Sequence, residues 1–217
     1  MYHFSIFLIL SLYAYSNNFD KAKNKMYQVW SENPYTFYCK CKYDRYKKGN
    51  MIDRESCGYK PKNAKTKSGK KNARAYRTEA EHIVPAENFY RQLACSKATK
   101  SDRKGLSKRD YCYETDKTFR AFHDDIRNLV PAIGELNGHR SNYRYGALDP
   151  IVGDYGQCKF QVLDRKAYVD PNIRGDIART YFYVRDTYGY KMSKQETKMM
   201  EVWNRLDPID EWERKRN

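Results

Sequence analysis

The stretch Glu79-Ala80-Glu81-His82-Ile83-Val84-Pro85 decides how this chain is read. It sets a carboxylate directly beside an imidazole, at the end of an extended run entered through Ala75-Tyr76-Arg77-Thr78. Pro85 then stands where the first turn of a helix tolerates it, ahead of Ala86-Glu87-Asn88-Phe89-Tyr90-Arg91-Gln92-Leu93. Neighbouring side chains of a strand point to opposite faces. Glu81 and His82 can therefore serve one small site only with something between or beside them, such as a metal ion and a substrate. Taken alone, the pair reads most simply as a surface glutamate next to a half-buried histidine. The rest of the chain changes that reading.

A chain of 217 residues suits one domain. Lys and Arg outnumber Asp and Glu 42 to 27, for a formal net charge of +15. That excess calls for an acidic partner: nucleic acid, an anionic membrane surface or a polyanionic glycan. The 21 tyrosines suit a nucleic-acid surface but also fill cores. The cations gather in two loops. One runs from Lys60 to Arg77 without an acidic residue and leads straight into Glu81-His82. The other holds Lys97, Lys100, Arg103, Lys104, Lys108 and Arg109, just before Cys112. Lys70, Lys71, Arg74, Arg77, Lys108 and, farther on, Arg140 are the candidate phosphate contacts. A non-catalytic secreted protein that binds polyanions would need only this charge, and it is the alternative to an enzyme. A toxin acting at host membranes finds no support, because no strongly amphipathic basic helix is evident.

Residues 1–16 have the apolar centre of a secretory signal, with Ala14 and Ser16 spaced as a cleavage site requires, although no Lys or Arg precedes it. Cleavage near Ser16 would leave a single domain over 17–217, with no membrane segment in the mature form. Six cysteines follow: Cys39, Cys41, Cys57, Cys95, Cys112 and Cys158. An even number beyond a signal suits an oxidising compartment and three bridges, whose pairing spacing alone leaves open. Should Cys95 and Cys112 pair, the second basic loop closes on itself and holds Arg109. A zinc site is poorly supported, since no cysteine stands at zinc spacing from a histidine.

Helical spacing of Phe19, Ala22, Met26, Val29 and Trp30 predicts a helix ending before Asn33-Pro34. Thr36-Phe37-Tyr38-Cys39 reads as a short strand, and Tyr155–Val162 as another. Phe119, Phe122, Ile126 and Leu129 predict a helix running to Pro131, with Asn128 near its end. Gly134–Tyr143 reads as a polar turn region around Asn137-Gly138. Two helices close the chain, over Arg174–Asp186 and after the capping-box pattern Ser193-Lys-Gln-Glu196. No phosphate-binding glycine loop and no nucleophile elbow occurs.

The order of these pieces resembles the endonuclease I family of periplasmic and secreted DNases. The matching runs are Phe37-Tyr38-Cys39-Lys40-Cys41, Ser56-Cys57-Gly58-Tyr59, Glu81-His82-Ile83-Val84-Pro85-Ala86, Arg127–Gly138, Tyr155-Gly156-Gln157-Cys158 and Arg174–Tyr183. The resemblance implies an α+β fold with a ββα-metal (His-Me finger) core, further helices, a small antiparallel sheet and disulfide staples. It implies Glu81 and Asn128 as magnesium ligands, His82 as general base and Arg109 at the scissile phosphate. The implied activity is Mg2+-dependent hydrolysis of single- or double-stranded DNA, leaving 5′-phosphate and 3′-hydroxyl ends, with RNA an open second substrate. A grip on phosphates rather than bases adds the expectation of a sequence-nonspecific enzyme, and a monomer is expected. The implied location is periplasmic or secreted. Two departures stand out. Arg127 occupies a place where an aromatic residue or His is expected, and the tail stops soon after Trp212-Glu213-Arg214.

Overall fold

The computed structural model describes residues 10–45 and 50–216, with side chains from residue 18 onward. The signal segment expected over 1–16 therefore lies outside the described residues, apart from the backbone of its last part. Helix α1 (Leu10–Trp30) comes first. It buries Ala22, Met26, Tyr27 and Trp30, much as the helical spacing implies.

The segment expected to be a strand at Thr36–Cys39 is instead a tight loop. Lys40 adopts a positive φ of 54° there, and Cys39 and Cys41 are bonded to Cys158 and Cys57. Two covalent anchors so close together hold a bend that aromatic β-propensity alone would have straightened. Strands β1 (Tyr43–Asp44) and β2 (Met51–Ile52) form a small antiparallel pair.

Strand β3 (Thr78–His82) carries the pivotal stretch. Short helices α2 (Ala86–Tyr90), α3 (Lys100–Arg103), α4 (Lys108–Thr115) and α5 (Lys117–His123) follow. The expected continuation of α5 to Pro131 fails. The Asp125 side chain accepts a bond from the Arg127 backbone N–H and starts a single 3-10 turn, and the chain then enters strand β4 (Leu129–Ile133). Pro131 sits inside that strand opposite Ala80, which a two-stranded sheet permits because each strand has a free edge. Its carbonyl accepts the Phe37 N–H at 2.8 Å.

Strands β3 and β4 pair antiparallel in a register that puts Glu81 opposite Val130 and His82 opposite Leu129. Helix α6 (Gly134–Arg140) follows β4 without a break. The Asn137-Gly138 turn expected here is thus the middle of a helix.

The chain ends with β5 (Arg144–Tyr145), β6 (Phe160–Leu163) and β7 (Lys166–Val169), then α7 (Arg174–Tyr188), α8 (Lys194–Leu206) and α9 (Glu211–Arg216). In this last sheet β7 pairs antiparallel with β6 and parallel with β5, so one mixed sheet stands beside the small antiparallel pairs β1–β2 and β3–β4. Ser193 caps α8 by accepting the Glu196 N–H. The fold is α+β, with the three bridges Cys39–Cys158, Cys41–Cys57 and Cys95–Cys112. Among the described residues no helix is long and apolar enough to cross a membrane.

Candidate active site

Where β3 ends, Glu81 and His82 both reach one cavity of about 400 Å3, although each is more than nine-tenths buried. The cavity is also lined by Arg109 from α4, Asn137 and Arg140 from α6, and Glu87 from α2. The end of β3 and helix α6 supply its floor, and Arg109 of α4 and Phe19 of α1 stand at its walls.

His82 lies between two aromatic rings, stacked on Phe19 at 5.7 Å and on Phe122 at 6.1 Å between centroids. Its Nε2 is 2.8 Å from the backbone carbonyl of His123. A carbonyl only accepts, so Nε2 carries the proton and Nδ1 presents a lone pair. That nitrogen has no hydrogen-bond partner among the described residues and is not sealed from the cavity. Burial pushes the imidazole well below its usual range, and the nearby His123 and Arg109 add to the effect. At neutral pH the ring is therefore uncharged and able to take a proton.

Glu81 is fixed through Oε1, which accepts the Tyr38 hydroxyl at 2.9 Å and Arg140 Nη1 at 3.1 Å. Burial pushes its carboxyl up, and Arg140 and Tyr38 restrain that shift. The other oxygen, Oε2, accepts no hydrogen bond among the described residues and is not sealed off. Arg109 donates from Nη2 to His123 Nε2 at 2.7 Å, and His123 donates from Nδ1 to Asp124 at 2.9 Å. The chain Asp124–His123–Arg109 sets the guanidinium at the cavity edge and leaves its other N–H groups available for an anion.

Two expected site residues are placed differently. Asn128 is fully buried and outside the cavity, with its Oδ1 accepting the Val84 N–H at 2.8 Å and its Nδ2 donating to the Val84 carbonyl at 3.1 Å. Both ends of the amide tie Val84, just past β3, to the turn before β4, and the side chain is not among those that line the cavity. Arg140, expected to touch phosphate, is 1% exposed. It donates to Glu81 and to the His82 and Ile83 carbonyls, and lies over the Tyr145 ring. A guanidinium so enclosed shapes the site and cannot grip a backbone.

Arg74 and Arg77 are also engaged, both with Glu79. Lys70, Lys71 and Lys108 are exposed, with Lys71 lying over the Tyr76 ring at 4.2 Å.

Asn137 is the residue the sequence reading passed over. It is half-buried, lines the cavity, and its Oδ1 accepts no hydrogen bond among the described residues. An Asn before Gly signals a tight turn. No signal opposed it, because the residues up to Pro131 read as a helix and hid the strand that delivers Asn137 onto α6.

Glu81 Oε2 and Asn137 Oδ1 are hard oxygen donors on one cavity. Among the described residues no group of three or more His, Cys, Asp or Glu gathers to hold a metal. A donor set this sparse fits magnesium, which keeps several waters and needs few protein ligands.

A sequence model described as Endonuclease I matches residues 14–217. An extracellular deoxyribonuclease of Aeromonas hydrophila is 37% identical over 217 residues, covering 99% of this chain and 88% of that one. A periplasmic deoxyribonuclease of the same species is 36% identical over 205 residues, covering 93% and 80%. Endonuclease-1 of Buchnera aphidicola subsp. Acyrthosiphon pisum (strain APS) is 38% identical over 198 residues, covering 90% and 73%.

Proposed function

The chain belongs to the endonuclease I family, and from that premise we propose that it is a secreted or periplasmic, magnesium-dependent endonuclease that hydrolyses DNA through the cavity at the end of β3. The observation that carries the reading is the meeting of His82 Nδ1, the unbonded oxygens of Glu81 and Asn137, and Arg109 on one cavity. The names of the relatives support DNA as substrate and the extracytoplasmic location. The three disulfides agree with an oxidising compartment.

A phosphodiester repels nucleophiles with its own charge, so cleavage needs a cation and an activated water. Glu81 and Asn137 would hold Mg2+, which supplies charge neutralisation at the departing 3′ oxygen. His82 Nδ1 takes a proton from the attacking water, and the resulting imidazolium is steadied by the His123 carbonyl at Nε2. Phosphorus gains the water oxygen and loses the 3′ oxygen, which takes a proton from solvent water, giving a 5′ phosphate and a 3′ hydroxyl. Arg109 pairs with the non-bridging oxygens as their charge grows. Glu81 and His82 thus act from two sides of one phosphorus, which is how adjacent strand residues with diverging side chains can serve a single reaction.

The test is nicking of supercoiled plasmid with Mg2+, with chelator, and by His82→Ala. The enzyme should cut only with the metal, and His82→Ala should lose cleavage by about a hundredfold or more while keeping its DNA affinity. A non-catalytic polyanion binder would cut under none of these conditions. Undiminished cutting by His82→Ala would remove the general base from the mechanism.

A further inference from the structure

Glu79, two residues before Glu81 on β3, is left without a role by this chemistry. Arg74 grips its carboxylate in a fork, with Nε 3.0 Å from Oε1 and Nη2 2.6 Å from Oε2. Arg77 Nη2 adds a bond of 3.0 Å to Oε1. The Asn137 side-chain amide also donates here, from Nδ2 to Glu79 Oε2 at 3.3 Å and to the Ala80 carbonyl at 3.5 Å. A carboxylate and a carbonyl can only accept, so the NH2 end of Asn137 must face them. A flipped amide would set oxygen against oxygen and turn two N–H donors toward the cavity, where no cation could bind them.

The fold makes room for this arrangement. A Cβ on Gly134 would lie 2.8 Å from the Glu79 carboxyl, and one on Gly138 would lie 2.7 Å from Arg74 Nη1. These two glycines stand one helical turn apart on α6. They let the Arg74–Glu79 pair press against the backbone of the helix that carries Asn137, on the side where β3 runs.

We propose that Glu79, clamped by Arg74, is a positioning residue that orients the Asn137 amide so that its oxygen, not its nitrogen, faces the metal site. The inference rests on Asn137 being a metal ligand, as proposed above. Glu79 itself touches neither DNA nor metal. Partners that orient metal ligands in this way typically govern affinity by about 10–100-fold.

Titrating Mn2+ into the folded protein without DNA, and reading the free ion by electron paramagnetic resonance, separates metal affinity from turnover. Glu79→Ala should weaken Mn2+ binding by about tenfold or more. Glu79→Gln keeps one acceptor oxygen for Asn137 and should lose less. DNA affinity in chelator should hold or tighten in both variants, because two arginines are released. Asn137→Ala and Glu81→Ala, as controls, should abolish Mn2+ binding. If those controls lose the ion while both Glu79 variants, folded by circular dichroism, bind it as the wild type does, the orienting role is wrong and the metal site stands. If Asn137→Ala binds Mn2+ normally, the ligand assignment fails first and the role of Glu79 fails with it.

Discussion

Asn128 holds Val84 by both ends of its amide, in a part of the molecule where neither partner reaches water. Removing that side chain orphans a buried N–H and a buried carbonyl, each costing about 1–3 kcal/mol. Asn128→Ala should therefore lower the melting temperature by roughly 5–15 °C. Whatever protein remains folded should still respond to Mg2+. Asn137 is half-buried and donates only two long bonds. Asn137→Ala should shift stability by no more than about 1 kcal/mol yet abolish metal-dependent cleavage. Thermal melts and a magnesium titration of both variants check this, and the opposite pattern would restore Asn128 as the ligand. The Glu81-His82 pair was legible because its chemistry is contiguous in sequence. Choosing between the two asparagines was not, since Asn128 stood near the end of a predicted helix, one residue from its apolar stripe, and a turn signal covered Asn137. Only the pairing of β4 with β3 reverses both, by making 129–133 a strand and delivering Asn137 onto the helix behind it.

At the scale of elements, sequence patterns held where one face of a helix alone decides its packing, as in α1, α7 and α8. They failed where a covalent or polar anchor decides: the bend at Cys39–Cys41, and the break after α5 held by Asp125. The basic loop ahead of α4 is also decided by a covalent anchor, and there the bridge that the sequence allowed is the one formed. The bridge from Cys95 to Cys112 closes it over a separation of 17 residues and fixes the helix that carries Arg109. A loop of that length contributes about 3 kcal/mol through the entropy it removes from the unfolded chain. The Cys95→Ala/Cys112→Ala double variant should melt lower by a corresponding amount. It should also cut more slowly, because Arg109 reaches the cavity through its bond to His123 and a looser α4 lets that geometry drift. The loss should appear in kcat with the Mg2+ requirement unchanged. A variant that melts lower but turns over at the wild-type rate would show that Arg109 is held by His123 alone.

Across the whole molecule a net charge of +15 would draw in any polyanion, but the structure divides the cations into those available and those engaged. Arg140 is enclosed beside Glu81, and Arg74 and Arg77 share Glu79. Lys70, Lys71 and Lys108 stand exposed on the two basic loops. Contacts to phosphate release counterions, and for duplex DNA the logarithm of affinity falls with the logarithm of salt at a slope near −0.9 for each contact. Fluorescence anisotropy in chelator, across a salt series, reads that slope without cleavage. The Lys70→Ala/Lys71→Ala variant should make it shallower by about two, and Lys108→Ala by about one. Phosphates carry no sequence, so unrelated duplexes should give the same slopes. Arg140→Gln should instead unfold at lower temperature, because a buried carboxylate loses its counter-charge. Unchanged slopes in both lysine variants would mean that DNA approaches over another face, and the basic loops would then be solvated surface rather than the substrate's track to His82.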